Sequence, residues 1–329
     1  MRNQHQSYLA GFFFLLATNG FALLIPWLLK LAIESLRHPL PLHPPLFYGL
    51  AIICAAIAHG VIRIFSRTSF LHAARRIEFQ IREELYHRLL LLDQRFYGQQ
   101  RTGDLLSRFA NDLTNIRMLL GFGLLNLLNT LILYTAALTL MISISPPLTL
   151  LALAPLPLMI LLIERLGRRI FHFSRQVQEE LAGLSNLAEE NISAQELVRT
   201  FCRQGYQSDL FRKASLRYEQ ANIAMARQRG LLIPVMGLTG GLCTLITLFV
   251  GGGWIIAGRI SLGDFVAFSG YLAMLIWPTV VMGWIFNLLQ RGAASLERID
   301  HILAAEPAVH EPATPQLMPP IRGGIELRH

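Results

Sequence analysis

Between two stretches apolar enough to cross a bilayer, the chain passes through dozens of polar, arginine-rich residues patterned as helix, ending in the run from Tyr86 to Asp112. A turn joining two membrane spans needs only a few residues. A water-exposed insertion of this length implies that something outside the membrane reads it.

The same alternation recurs along the chain. Six spans can be drawn, at about 9–36, 46–64, 116–143, 148–163, 231–257 and 265–289, each close to the length a helix needs to cross the hydrocarbon. Two of them do not stop at the membrane. After the second, Leu71, Ala74, Ile77, Ile81, Leu85 and Leu89 recur at spacings of three and four, the mark of a buried stripe on a helix in water. A helix from Leu46 to Gln94 would be roughly 70 Å long, about twice the hydrocarbon thickness. After the fourth, Val177, Leu181, Leu184 and Ala188 continue one face in the same way. Proline marks the short turns, at Pro39, Pro41, Pro44 and Pro45 and again at Pro146 and Pro147. The sequence thus predicts an all-α membrane protein of six long helices, with short turns on one side and two long helical hairpins on the other.

Composition agrees. Of 329 residues 53% are hydrophobic and only 15% charged, where a soluble domain carries about a quarter charged residues; mean hydropathy is +0.44. The surplus of Lys and Arg over Asp and Glu, 29 against 21, is not a nucleic-acid face, because it alternates with the spans. Ten arginines lie between Arg63 and Arg117 and eleven basic residues between Arg165 and Arg229, whereas the short turns carry only Arg37 and Arg259. By the positive-inside rule both long hairpins of this multi-pass protein are expected in the cytoplasm. The first apolar run exceeds the core of a signal peptide and reads as an uncleaved span. Cys54, Cys202 and Cys243 have neither metal-ligand nor disulfide spacing.

Phe96-Tyr97, then Thr102-Gly103-Asp104-Leu105-Leu106-Ser107-Arg108 and Asn111-Asp112, resemble the first cytoplasmic loop of ATP-binding-cassette (ABC) exporters. The bland alternative is a solvated hairpin in which Asp104 and Arg108 form an ordinary i,i+4 pair. Residues 191–205 resemble the second such loop, with Ala194 where the family often has glycine. Ser261-Leu-Gly-Asp264, Trp277-Pro278 and the string from Gly283 through Arg291 and Ser295 to Arg298 are similar to the sixth helix, most of all that of multidrug-exporter-like half-transporters that often pair as heterodimers. The resemblance implies a bacterial inner membrane, a six-helix transmembrane domain over 1–305, a proline-rich linker over 306–322, and at 323–329 the first strand of a nucleotide-binding domain. It implies coupling tips that dock on such a domain: Phe96, Tyr97, Arg101, Thr102, Gly103, Asp104 and Arg108 in the first, Glu196, Leu197, Val198 and Phe201 in the second. Glycine at 103 would matter if its turn required a positive φ, and Gly103→Pro would then uncouple the tip.

The chain's two lysines, Lys30 and Lys213, lie on no glycine-rich turn, so no P-loop is present. No catalytic, cofactor or metal residue is assigned; ATP and Mg enter only through the nucleotide-binding domain that the resemblance implies. The expected partners are that domain, a second half-transporter in a heterodimer rather than a homodimer, and membrane lipid. Polar residues in mid-span face a bundle interior or each other, which makes Asn19, His59, Asn126, Asn129, Tyr134, Thr244, Tyr271 and Asn287 candidates for a substrate path. The aromatic, apolar spans suit an amphipathic drug or a lipid. The rival reading is a membrane scaffold or sensor that keeps the exporter fold without its ATPase.

Overall fold

The computed structural model describes residues 5–36, 44–307, 323, 324 and 326. In chain order the helices are α1 (His5–Ser35), α2 (Pro45–Leu91), the short α3 (Gln94–Gln99), α4 (Thr102–Ile144), α5 (Pro146–Ser193), the short α6 (Gln195–Thr200), α7 (Gln204–Ile256) and α8 (Leu262–Leu303). All but α3 and α6 are long and apolar enough to cross a membrane. The expected run-on of α2 is observed. No proline or glycine interrupts it after Gly60, and Arg82 braces Glu78 one turn back at 2.8 Å. The tight turn into α5 is capped by Ser145, whose hydroxyl accepts from the Leu148 N–H at 3.5 Å while Pro146 and Pro147 take the first helical positions. Gly258 (φ 70) makes the turn between α7 and α8. Pro39 and Pro41 of the first turn lie outside the described residues, as does most of the linker and strand expected over 306–329.

The described residues fall into two compact units. The first takes in residues of Met1–Thr18, Gly60–Thr130 and Val281–His329. Here α4 meets α2 where Gly121 leaves a Cβ only 3.2 Å from that of Ala74, and meets α8 where a Cβ on Gly292 would lie 2.6 Å from the Leu119 side chain. The close approach coincides with a widened π-turn at Leu119–Gly123, and a second π-turn lies at Arg108–Asp112. Small residues of this kind let helices touch where lipid gives no hydrophobic drive to associate. Nearer the tip, Leu85, Leu89, Leu92, Leu105, Ile116, Ile299 and Ile302 form a buried cluster. The stripe read from the sequence of α2 supplies two of these residues, and Ala74 and Ile77 are buried as well.

The second unit takes in residues of Asn19–His59 and Leu131–Val280. Its core gathers Leu133, Ala137 and Met141 of α4, Leu148, Ala152 and Met159 of α5, Cys243 of α7, and Phe268, Tyr271 and Leu275 of α8. Helices α1 and α8 approach closely where Gly270 faces Pro26, a proline inside α1; a Cβ on Gly270 would lie 3.0 Å from it. Beyond the core, the polar arms of α5 and α7 pack against each other and are joined by Arg217 Nε to Glu180 Oε2 at 3.4 Å. Within these arms only Leu166, Val177 and Ala214 are buried, so they form a slender hairpin with α6 at its end.

Candidate functional site

The first tip is built onto a core. Asp93 caps α3 by accepting from the Phe96 N–H at 3.2 Å, and Phe96 packs on the buried cluster of its unit. Tyr97 donates its hydroxyl to the Leu89 carbonyl at 2.7 Å, tying α3 back to the end of α2. The chain then crosses Arg101, whose carbonyl accepts from the N–H groups of Asp104 (3.0 Å) and Leu105 (3.3 Å). Thr102 and Gly103 occupy the first two helical positions of α4, and Asp104 lies in its first turn, where a carboxylate is favoured by the helix dipole. Leu105 is buried and holds the turn down.

Two expectations about this tip are corrected. Gly103 is not a left-handed residue: among the described glycines only Gly258 and Gly323 have positive φ, and a Cβ at 103 meets nothing within 4 Å. Its position in a first helical turn tolerates proline, so Gly103→Pro loses its rationale. Asp104 and Arg108 do not form an ion pair among the described residues. The charge of Arg108 instead contributes to lowering the Asp112 carboxyl.

The second tip differs. No residue of α6 is buried and no side chain caps it. Leu197 and Phe201, one turn apart, are 60% and 70% exposed; Glu196 is exposed and Val198 half-buried. The helix ends in a Schellman closure. The Arg203 N–H reaches the Val198 carbonyl (2.9 Å), the Cys202 N–H reaches that of Arg199 (3.1 Å), and Cys202 sits at φ 50. Glycine is the usual residue in that place. Arg203 then lies over the Tyr206 ring at 5.9 Å.

Four residues of one clamp, Asp112, Asn115, Ser295 and Arg298, have no role assigned from the sequence. Asp112 of α4 accepts two bonds from Arg298 of α8, from Nε at 2.9 Å and from the terminal nitrogen at 2.5 Å, and a third from the Ser295 hydroxyl at 2.9 Å. Asn115 donates to that hydroxyl at 3.1 Å. The Arg298 hydrogen bond, more than Ser295 and the charges of Arg298 and Arg108, holds the Asp112 carboxyl below its ordinary value against the opposing effect of burial. Arg88 of α2 adds a bond to the Leu303 carbonyl at 2.9 Å. The end of α8 is thereby fastened beside the first tip, within one unit. In the other unit Lys30 of α1 meets Asp264 at 2.6 Å, and Ser261 bridges Asp264 and Glu34 at 2.9 and 2.8 Å.

The candidate path residues separate into three groups. Tyr134 and Tyr271 cross between helices: Tyr134 donates to the Leu275 carbonyl at 3.3 Å and meets Thr279, and Tyr271 donates to the Leu23 carbonyl at 3.3 Å. Both belong to the core of the second unit. Asn126, Thr244 and Asn287 turn back on their own helices, bonding the carbonyls of Phe122, Gly240 and Gly283 at 2.8, 2.9 and 3.0 Å. Asn19 is buried, and His59 and Asn129 are half-buried. Among the described residues no group of His, Cys, Asp or Glu could hold a metal ion.

Among the described residues six helices are long and apolar enough to cross a membrane, and two short helices, α3 and α6, lie between consecutive long ones. Residues 8–279 match the family model for the ABC transporter transmembrane region, and the chain belongs to that family. It is an integral membrane protein that crosses the bilayer several times. It is similar to the multidrug resistance-like ATP-binding protein MdlA of Buchnera aphidicola, with 28% identity over 94% of this chain and 54% of that protein. It is also similar to the probable multidrug resistance ABC transporter ATP-binding/permease protein YheI of Bacillus subtilis, 30% over 94% of this chain and 53% of that protein. A third relative is the fatty acid ABC transporter ATP-binding/permease protein of Mycobacterium tuberculosis, 31% over 75% of this chain and 38% of that protein. The chain spans about half the length of the curated relatives it matches.

Proposed function

We propose that the chain is the membrane half of an ATP-driven exporter, which forms the substrate path and takes its stroke from a nucleotide-binding domain in cis or on a separate chain. The observation that carries this is the pairing of membrane-long helices with two short helical tips at the ends of polar arms. A short helix seated in a groove by a few apolar anchors and a charged rim is a recurrent way to join two protein bodies. Leu197 and Phe201 are such anchors in the second tip, with Glu196 and Arg199 beside them. Phe96 and Tyr97 flank the first, with Arg101 and Asp104 as its rim.

ATP and Mg are held by the nucleotide-binding domain; this chain's part is to receive the movement at the tips and pass it along its arms. The arginine bias supports placing the tips in the cytoplasm of a bacterial inner membrane. Relatives named for multidrug resistance and for fatty acid transport support an amphipathic drug or lipid-like substrate. The sixth-helix string from Gly283 to Ser295 supports a heterodimer with a second half-transporter.

The test uses inside-out vesicles from cells expressing the chain together with its nucleotide-binding domain and partner. ATP-dependent accumulation of an amphipathic fluorescent dye, abolished by vanadate, is the expected result. Normal nucleotide binding without ATP-dependent movement of dye or lipid would favour the scaffold reading instead.

A further inference from the structure

The exposed face of α5 passes from apolar to basic without a break in the helix. Leu158 and Leu161 (57% and 59% exposed) and the exposed Leu162 end the apolar part of that face. Arg165, Arg168, Arg169 and His172, all exposed, continue it. At about 100° per residue these seven side chains fall within roughly one third of the helix circumference. Met159, Leu166 and Val177, which are buried, fall outside it, about 40–60° past Leu162. A face that is apolar and exposed for about one turn is therefore basic and exposed over about the next two. From Arg165 to Arg169 the helix rises only about 6 Å, close to the roughly 5–8 Å that each headgroup layer adds to the hydrocarbon.

The charges on that face are poorly neutralised by the protein. Arg168 has only Glu164, at 3.5 Å, with both side chains largely exposed, a pair of little strength in water. Arg165 and Arg169 make no ion pair or hydrogen bond among the described residues. Arg175, further along, is paired with Glu179 at 2.9 Å. On this helix the weakly paired arginines are thus confined to the turns that follow the apolar face.

We propose that this face of α5 binds the phosphate groups of anionic phospholipids in the leaflet on the side of the long arms. Acyl chains lie along Leu158, Leu161 and Leu162 while the headgroup phosphate takes bonds from Arg165, Arg168 and Arg169. Charge complementarity and continuity with the lipid-facing leucines select lipid over a protein occupant. Arginine suits the role because its fork of donors matches a phosphate. The inference rests on the membrane-spanning reading and is independent of the transported substrate.

The test titrates the full chain, purified in a neutral detergent, with phosphatidylglycerol, phosphatidylcholine and inorganic phosphate, reading the thermal unfolding midpoint. Phosphatidylglycerol is expected to raise the midpoint, while phosphatidylcholine and inorganic phosphate do not. Raising salt from 0.15 to about 0.5 M should weaken the response, as for other surface charge interactions. The Arg165→Gln/Arg169→Gln double variant should need at least about tenfold more phosphatidylglycerol, since each basic residue near an anionic surface contributes roughly fivefold in binding. Arg165→Lys/Arg169→Lys should keep most of the response, and Arg175→Gln all of it. Equal midpoints with the two lipids, or a double variant that titrates as the parent, would overturn the proposal. So would cross-linking of an Arg169→Cys variant into a dimer whose midpoint ignores lipid, which would assign the face to a second copy of the chain.

Discussion

The two tips occupy equivalent places in the chain, each between consecutive long helices, yet they are made in opposite ways. The first rests on its own unit: Asp93 caps it, Tyr97 ties it to Leu89, and Leu92 and Leu105 bury beneath it among Ile299 and Ile302. The second rests on nothing but the ends of two arms, with no buried residue and two large apolar side chains turned outward. Physically, the first tip is stabilised by contacts within its own unit, whereas the second leaves its large apolar side chains exposed. Substitutions in the first should register as lost stability, and substitutions in the second as lost coupling.

The largest stability effect is expected at Leu105. Truncation to alanine removes a buried side chain from the cluster under the first tip and should cost about 2–4 kcal/mol, seen as a lower thermal midpoint in detergent. A neutral result there would remove the distinction between the tips.

Next comes the clamp between α4 and α8. Asp112→Asn leaves Arg298 half-exposed and able to reach water, so the cost should be about 1–2 kcal/mol rather than that of a fully buried pair. Because the folded carboxyl lies below its ordinary value, its contribution is fully present above the unfolded value of about 4 and is lost as pH falls through the folded one. The parent and the Asn variant should therefore differ in midpoint at neutral pH and converge under acid conditions. A difference that grows on acidification would contradict the assigned sign.

A smaller effect, of the opposite direction, is expected in the second tip. Cys202 holds a left-handed conformation that costs an ordinary residue about 1 kcal/mol, so Cys202→Gly should stabilise the turn by a comparable amount. Local hydrogen exchange at Val198 to Arg203 would register it as slower opening, and faster exchange would mean the cysteine side chain makes a contact that matters more than the strain.

Periodicity made much of this architecture readable beforehand. The six long helices and the buried stripe of α2 follow from apolar spacing alone, since a span must be apolar and an arm must hide one face. The tips were located by resemblance, but their construction was not readable. Nothing in Thr102-Gly103-Asp104 says whether the glycine is left-handed, and the structure places it in an ordinary helical turn. Nor does a cysteine announce a left-handed closure, since thiol side chains have no preference for it. Asp112 and Arg298 both lie in recognisable motifs, yet they are 186 positions apart and one sequence carries no distance information. Intramembrane polar residues showed the same limit. Asn126 and Asn287 needed partners, as any such residue does, and found them on their own helices, whereas Tyr134 and Tyr271 join different helices.

Phe201→Ala in the full-length protein, assembled with its nucleotide-binding domain, tests the central claim most directly. Phe201 is exposed and touches no core, so its removal should leave the thermal midpoint within about 0.5 kcal/mol of the parent. Measured side by side, ATP binding should be unchanged while ATP-dependent dye uptake into inside-out vesicles falls at least about tenfold, in proportion to the loss of an apolar anchor from a docking contact. Parent-like uptake in Phe201→Ala, and again in the Leu197→Ala/Phe201→Ala double variant, would contradict the account, because the exposed tip would then carry no stroke.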